Sequence, residues 1–204
     1  MVQGGNEHSL TGINLAALVM DGLESKEFFE PLHALEEAGA TVSIISAHKG
    51  KLQAYDDDRP VSQLDVQAVF DEADPREFIA VLLPGGVQSV KALCTHPGAL
   101  EFLRGAIDMG KPVAAIGHGV ASLAAAGRVQ GKNLTGHPAL KETLLKAGAS
   151  WVDEPTIVNE TLVTGRNKED LPAFVEALLD TLHAYVKKHV AGTRDENADI
   201  GPGS

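Results

Sequence analysis

The sequence predicts an α/β sandwich around a mainly parallel sheet. Apolar runs of strand length alternate with helical patterns through most of the chain. The runs at 13–20, 79–83 and 113–116 are short and almost wholly apolar, as strands covered on both faces are. Glycine turns, Pro84-Gly85-Gly86 and Gly117-His118-Gly119, close the second and third of these runs.

In chain order, the run at 13–20 is the first strand. Ser25 is a candidate N-cap for a helix with Phe28, Phe29, Leu32 and Leu35 at helical spacing, stopped by Gly39. Residues 41–46 are β-branched and strand-like. Residues 47–75 are rich in charge and turn formers ("YDDDRP", "DEADP"), predicting a long excursion with one or two short strands. Strand 79–83 follows, then a helix over 97–109, strand 113–116 and a small-residue helix over 120–126. A helix over 139–147 and short strands near 151–152 and 161–163 come next. The pattern of Phe174, Leu178, Leu179, Leu182 and Val186 closes the domain as an amphipathic helix over 171–189.

The chain has 204 residues, enough for one domain with appendages. We expect a polar N-terminal tail over 1–11, a single domain over 12–190 and a disordered acidic tail over 191–204, which has almost nothing to bury. The balance of 28 acidic against 17 basic residues gives −11, a field that repels a phosphate backbone, so no nucleic-acid partner is expected. The longest apolar runs, about eight residues, fall far short of the ~20 that span a bilayer, and no secretory signal is visible, so the protein is expected to be cytoplasmic with no membrane partner. The single cysteine, Cys94, excludes an intrachain disulfide and any thiolate-rich metal site.

Sites in parallel-sheet folds lie beyond the carboxyl ends of the strands, here the loops after Met20, Leu83 and Ile116. The stretch "KPVAAIGHGVASLAAAG" is the most informative: a hydrophobic strand, a tight turn and a helix of small residues. That is the layout of a nucleophile elbow, whose apex residue has φ > 0 and projects over the sheet edge. Here the apex is Gly117, which has no side chain to react.

The pieces "ALVMDGLESKEF", "PLHALEEAGATVSIISAHKG", "DPREFIAVLLPGG", "HPGALEFLRGAIDMGKPVAAIGHGV", "GKNLTGHPALKETLLKAGASWVD" and "LVTGRNKEDLPAF" run in one order through residues 12–187. In this the chain resembles the PfpI/ThiJ superfamily of intracellular proteases, deglycases and glyoxalase III-type enzymes, as a divergent member lacking the elbow cysteine. The elbow is also similar to that of the C-terminal domain of large-subunit catalases. The resemblance implies a flavodoxin-like three-layer sandwich, class I glutamine amidotransferase-like, an elbow cysteine followed by histidine, and a glutamate from the first strand–helix loop. It further implies a homodimer or larger homo-oligomer and a possible stress-associated or chaperone-like role. Carried over, Glu27 matches the elbow glutamate, Glu24 its more solvent-facing neighbour and His118 the histidine. The nucleophile position is Gly117, with "IGHG" where the family reads "ICHG". The acidic residue expected after the PGG turn aligns with Lys91. The family's "TS" after the elbow helix is Thr135-Gly136, and its "TSRxP" is Thr164-Gly165-Arg166-Asn167-Lys168.

Four departures converge on one pocket. Without a thiolate, Glu27 and His118 have only water to activate. A glycine apex also relieves the ~1–3 kcal/mol of strain that a side chain carries at φ > 0. Each candidate keeps a plain structural alternative: Glu27 as a first-turn carboxylate facing the helix dipole, His118 as a pocket-rim histidine, Cys94 as a small half-buried apolar residue and Lys91 as a solvated charge. No histidine pair has metal-ligand spacing, and neither a metal nor another cofactor is expected. Gly85, Gly86 and the amides after Gly117 form a candidate nest for a small anion. The expected ligand-binding residues are thus Glu27, Gly85, Gly86, Gly117 and His118.

Three functions compete. The first is a pseudoenzyme that retains a pocket for a small anionic or carbonyl ligand. The second is a hydrolase or glyoxalase-type enzyme using Glu27/His118-activated water, an arrangement that supplies ~10²–10⁴-fold. The third is a structural oligomerisation module.

Overall fold

A computed structural model describes residues 9–189. Seven strands form the central sheet in the order β11-β12-β8-β7-β1-β3-β6. In chain order the elements are β1 (Asn14–Leu18), β2 (Leu23–Glu24), α1 (Ser25–Glu37), β3 (Thr41–Ser46), β4 (Lys51–Asp56), β5 (Arg59–Asp65), β6 (Ala68–Val69), β7 (Ala80–Leu83), α2 (Val87–Leu93) and α3 (Pro97–Asp108). They continue as β8 (Val113–Ile116), α4 (Ala121–Ala125), β9 (Asn133–Leu134), α5 (Lys141–Lys146), β10 (Ser150–Trp151), β11 (Thr156–Asn159), β12 (Leu162–Gly165) and α6 (Leu171–His189). Every pairing in the central sheet is parallel except β11 with β12.

The wholly apolar strands are explained by what covers them. Along β1, Ala16 and Leu18 face the layer built from α2, α3, α4 and α5, while Leu15 and Ala17 face α1 and α6. Val113 and Ala115 of β8 alternate with Ala114 and Ile116 in the same way, because successive side chains of a strand point to opposite faces. One layer is anchored by Phe102 and Leu103, the other by Phe28 and Phe174.

Strand β1 pairs with β3 on one side and β7 on the other, so the chain reverses its winding between β1 and β7. A crevice opens beyond the carboxyl ends at such a switch point. The loops after β1 and β7 flank it, and the turn after β8 lies next to them.

Several expectations need correction. Leu10, assigned to the polar tail, is fully buried and its amide donates to the Ala38 carbonyl, so packing begins before residue 12. The remainder of that tail before Ser9, and the whole of 191–204, lie outside the described residues. Ser25 is the first helical residue rather than the cap: Glu24 caps α1 without a side-chain bond, held extended by the pairing of β2 with β4. The excursion over 47–75 is more ordered than expected, with β4 and β5 forming an antiparallel hairpin that joins β2 in a separate three-stranded sheet. The Gly22 amide donates to the Gln53 carbonyl and the Gln53 amide to Asp21 Oδ1, tying this hairpin to the loop after β1.

Phe174 of α6 is fully buried, against Gly165 and Ile116. Replacing it with alanine is expected to cost about 3–5 kcal/mol, read as a lower urea midpoint at unchanged m-value.

Candidate functional site

Gly117 follows β8 at φ +58, the left-handed geometry of an elbow apex. The turn continues as a short 3-10 segment over Gly117–Val120 before α4. Close packing explains the small residues there, since a Cβ on Gly119 would lie 2.8 Å from the Pro84 carbonyl oxygen.

Glu27, in the first turn of α1, is only 6% exposed. Its Oε2 accepts the Gly85 amide at 2.9 Å. A Cβ built on Gly117 would stand 2.7 Å from Oε2 and 2.9 Å from the carboxyl carbon, and one on Gly85 would collide with the same carboxyl. The Glu27 carboxyl therefore covers the apex, in the space a larger apex side chain would enter. Burial, assisted by the neighbouring Glu24 charge and opposed by the Gly85 amide, pushes its pKa up to about 7.

A cavity of about 590 Å³ opens above, lined by Glu27, Gly86, His118 and His137 on its inner side. Gly85 and Gly117, both expected to bind ligand, do not line it; they lie under the Glu27 carboxyl. The rings of His118 and His137 stack with centroids 4.1 Å apart. Burial, then the charge of His137, pushes the His118 pKa down, favouring neutral imidazole. His137 is fixed from two sides: its amide donates to the Gly117 carbonyl, and its Nδ1 accepts the Ala139 amide.

The outer wall comes from residues the motifs did not bring together. Tyr55, Asp57 and Asp58 arrive on the β4–β5 hairpin, and Asn167, Lys168 and Glu169 on the turn before α6. Lys168 Nζ meets Asp57 Oδ1 at 2.7 Å and links these two segments across 111 residues of sequence. Glu24 also lines the cavity, and burial raises its pKa. This wall left two traces in the sequence: Asn167-Lys168, in the stretch aligned with the family's "TSRxP", and the acidic run "YDDDRP", which has the composition of any solvated turn.

The remaining expected residues lie elsewhere. Lys91 is exposed on α2 and does not line the cavity. Thr135 is buried, its amide donating to Thr164 Oγ1 and its hydroxyl to the Glu154 carbonyl. Cys94 caps α2 beside Ser122 Oγ at 3.9 Å, outside the cavity lining, with its thiol pKa pushed up by burial. Among the described residues no group of three or more His, Cys, Asp or Glu side chains could hold a metal ion. No helix among them is long and apolar enough to cross a membrane.

The small-anion expectation meets a physical obstacle. The Gly85 amide already serves the chain's own carboxyl. Among the described residues Glu24, Asp57, Asp58 and Glu169 also line the cavity, against one lysine. An anion would enter against that field.

The DJ-1/PfpI family profile matches residues 14–181. The chain belongs to the DJ-1/PfpI family. It is 32% identical over 165 residues to Deglycase TK1284 of Thermococcus kodakarensis, covering 81% of this chain and 96% of that one. It is 34% identical over 171 residues to Protein/nucleic acid deglycase 2 of Escherichia coli, covering 83% and 98%. A solved two-domain protein of Anabaena variabilis with DJ-1/ThiJ/PfpI-like and ferritin-like domains superposes with a TM-score of 0.78 at 30% identity, over 83% of this chain and 48% of that one. The expected family and its mainly parallel α/β architecture are thus both found.

The raised pKa of Glu27 links its protonation to folding. The folded form holds its proton up to about pH 7, whereas an unfolded glutamate releases it near 4.5. The folded state therefore binds more protons between these values, and stability falls as pH rises through that window. The contribution is full below pH 4.5 and lost above pH 7, roughly 3 kcal/mol in all. Chemical denaturation at pH 4.5 and pH 8 is expected to show that decrease, with Glu27→Gln removing most of the difference.

Proposed function

We propose that this chain is a non-catalytic family member that binds a small carbonyl-bearing ligand without forming a covalent bond to it. The observation that carries this reading is the elbow apex: a glycine at φ +58, covered by the Glu27 carboxyl. Covalent catalysis at an elbow needs a nucleophile within reach of a base. Gly117 supplies none, and the thiol of Cys94 is half-buried outside the cavity lining with a raised pKa. The cavity itself has the size of a small-ligand site. A protonated Glu27 donates a hydrogen bond to a carbonyl oxygen, and an ionised one accepts from a hydroxyl, so one carboxyl serves either polar group.

A second reading is supported by a specific feature. A carboxyl titrating near 7 has the pKa of an effective general acid or base. The deglycase names of the relatives also point toward catalysis. In that reading Glu27, beside His118, activates water.

Methylglyoxal consumption separates the two. The unaltered chain is expected to be inert, and Gly117→Cys to gain turnover that Glu27→Gln in the same background lowers at least tenfold. The cysteine version should also lose about 1–3 kcal/mol of stability from its left-handed apex, measured in urea. Turnover by the unaltered chain that disappears in Glu27→Gln would establish the water-activating reading. Inertness of both the unaltered chain and a folded Gly117→Cys would mean that the pocket no longer accepts the carbonyl compound.

A further inference from the structure

We infer that the cavity selects a small organic cation, a ligand whose polar end meets Glu27 and whose ammonium or guanidinium group meets the outer wall. This rests on the non-covalent binding reading above and adds the charge class of the ligand. Glu24, Asp57, Asp58 and Glu169 line the cavity around the buried Glu27 carboxyl. Among the described residues the one lysine or arginine lining it, Lys168, spends its charge on Asp57 at 2.7 Å. The wall therefore keeps an excess of negative charge whether or not Glu27 is protonated.

The hydrogen-bonding inventory points the same way as the charge. Glu27 is 6% exposed and lines the cavity, yet only its Oε2 is engaged, by Gly85, which leaves Oε1 to receive a ligand. Glu24 Oε1 and Asn167 Oδ1, on two further cavity residues, have no hydrogen-bond partner among the described residues and are closed off from solvent, so they add negative potential to the wall rather than a contact. A site with an unengaged carboxyl oxygen on Glu27, a negative wall and a compensated lysine favours a ligand that brings donors and positive charge. Tyr55 and the half-exposed Val87 add aromatic and apolar surface for a short hydrocarbon stem.

Three four-carbon probes that differ in charge test this: n-butylammonium, n-butanol and n-butyrate. Each is titrated at millimolar concentration into uniformly ¹⁵N-labelled full chain at pH 7, following the amides of Gly86, Gln88 and His118. Butylammonium is expected to shift these resonances saturably and to bind at least tenfold tighter than either other probe, with affinity falling as salt rises. The exposed pair Asp58→Asn and Glu169→Gln together should weaken it about threefold or more while leaving the fold intact. Binding of butanol or butyrate in the same cavity as tightly as butylammonium would overturn the charge preference and leave the pocket reading standing. Butylammonium binding that ignores the double substitution or moves other resonances would also overturn it. If no probe perturbs these amides, the charge preference fails, while the carbonyl-binding reading still rests on the methylglyoxal experiment above.

Discussion

At the carboxyl ends of β1, β7 and β8, backbone meets backbone, and the rest of the site depends on that contact. Gly86 follows β7 at φ +101, and a Cβ there would come within 2.6 Å of both the Glu24 nitrogen and the Leu23 Cα. Gly119, on the elbow, packs as tightly against the carbonyls at the end of β7. Three loops with different roles in the fold are thereby drawn closer than any side chain would permit. Through that approach a glutamate from the first helix reaches the apex of the third loop and bonds a backbone amide of the second.

Burying Glu27 in this junction has an electrostatic consequence. A carboxylate held away from water costs free energy that one backbone amide only partly offsets, so the group keeps its proton to near neutrality. In a site with a cysteine apex, such a carboxyl would have a thiol to work with. Here it covers a bare glycine, and the same geometry becomes the inner wall of a polar cavity. The neighbouring histidines are placed by local bonding as much as by packing: His137 caps the turn that follows it while stacking on His118. The arrangement is ordered and polar, and it has no nucleophile at its centre.

The inner half of the site was legible in the sequence because its residues are close together in short, recognisable turns. Pro84-Gly85-Gly86 and Gly117-His118-Gly119 each end a wholly apolar strand, and parallel-sheet topology places those ends side by side. Glu27 was legible through resemblance, with α1 following the first strand in the expected order. The outer half was legible only in part, through Asn167-Lys168 in the stretch aligned with the family's "TSRxP". Asp57 and Lys168 are separated by 111 positions, and their bond depends on the β4–β5 hairpin lying over the turn before α6. The hairpin was anticipated only as one or two short strands in a long excursion, because charged and turn-forming residues hide the length and pairing of its strands. Leu10 was misplaced for a related reason: one apolar residue among polar neighbours has no periodicity to reveal its burial.

By itself the sequence determined the layered α/β architecture and a glycine in place of cysteine at the elbow apex, because each follows from local residue type and strand-length patterning. Only the tertiary structure decided which groups face the cavity. It put Gly85 and Gly117 beneath the Glu27 carboxyl rather than on the cavity wall, gave the Gly85 amide an internal acceptor and ringed the entrance with carboxylates. A nest of amides can be anticipated from a glycine turn, but whether it stays open depends on which distant side chain reaches it first. The net charge of a pocket likewise sums groups from unrelated segments, and no local pattern contains that sum.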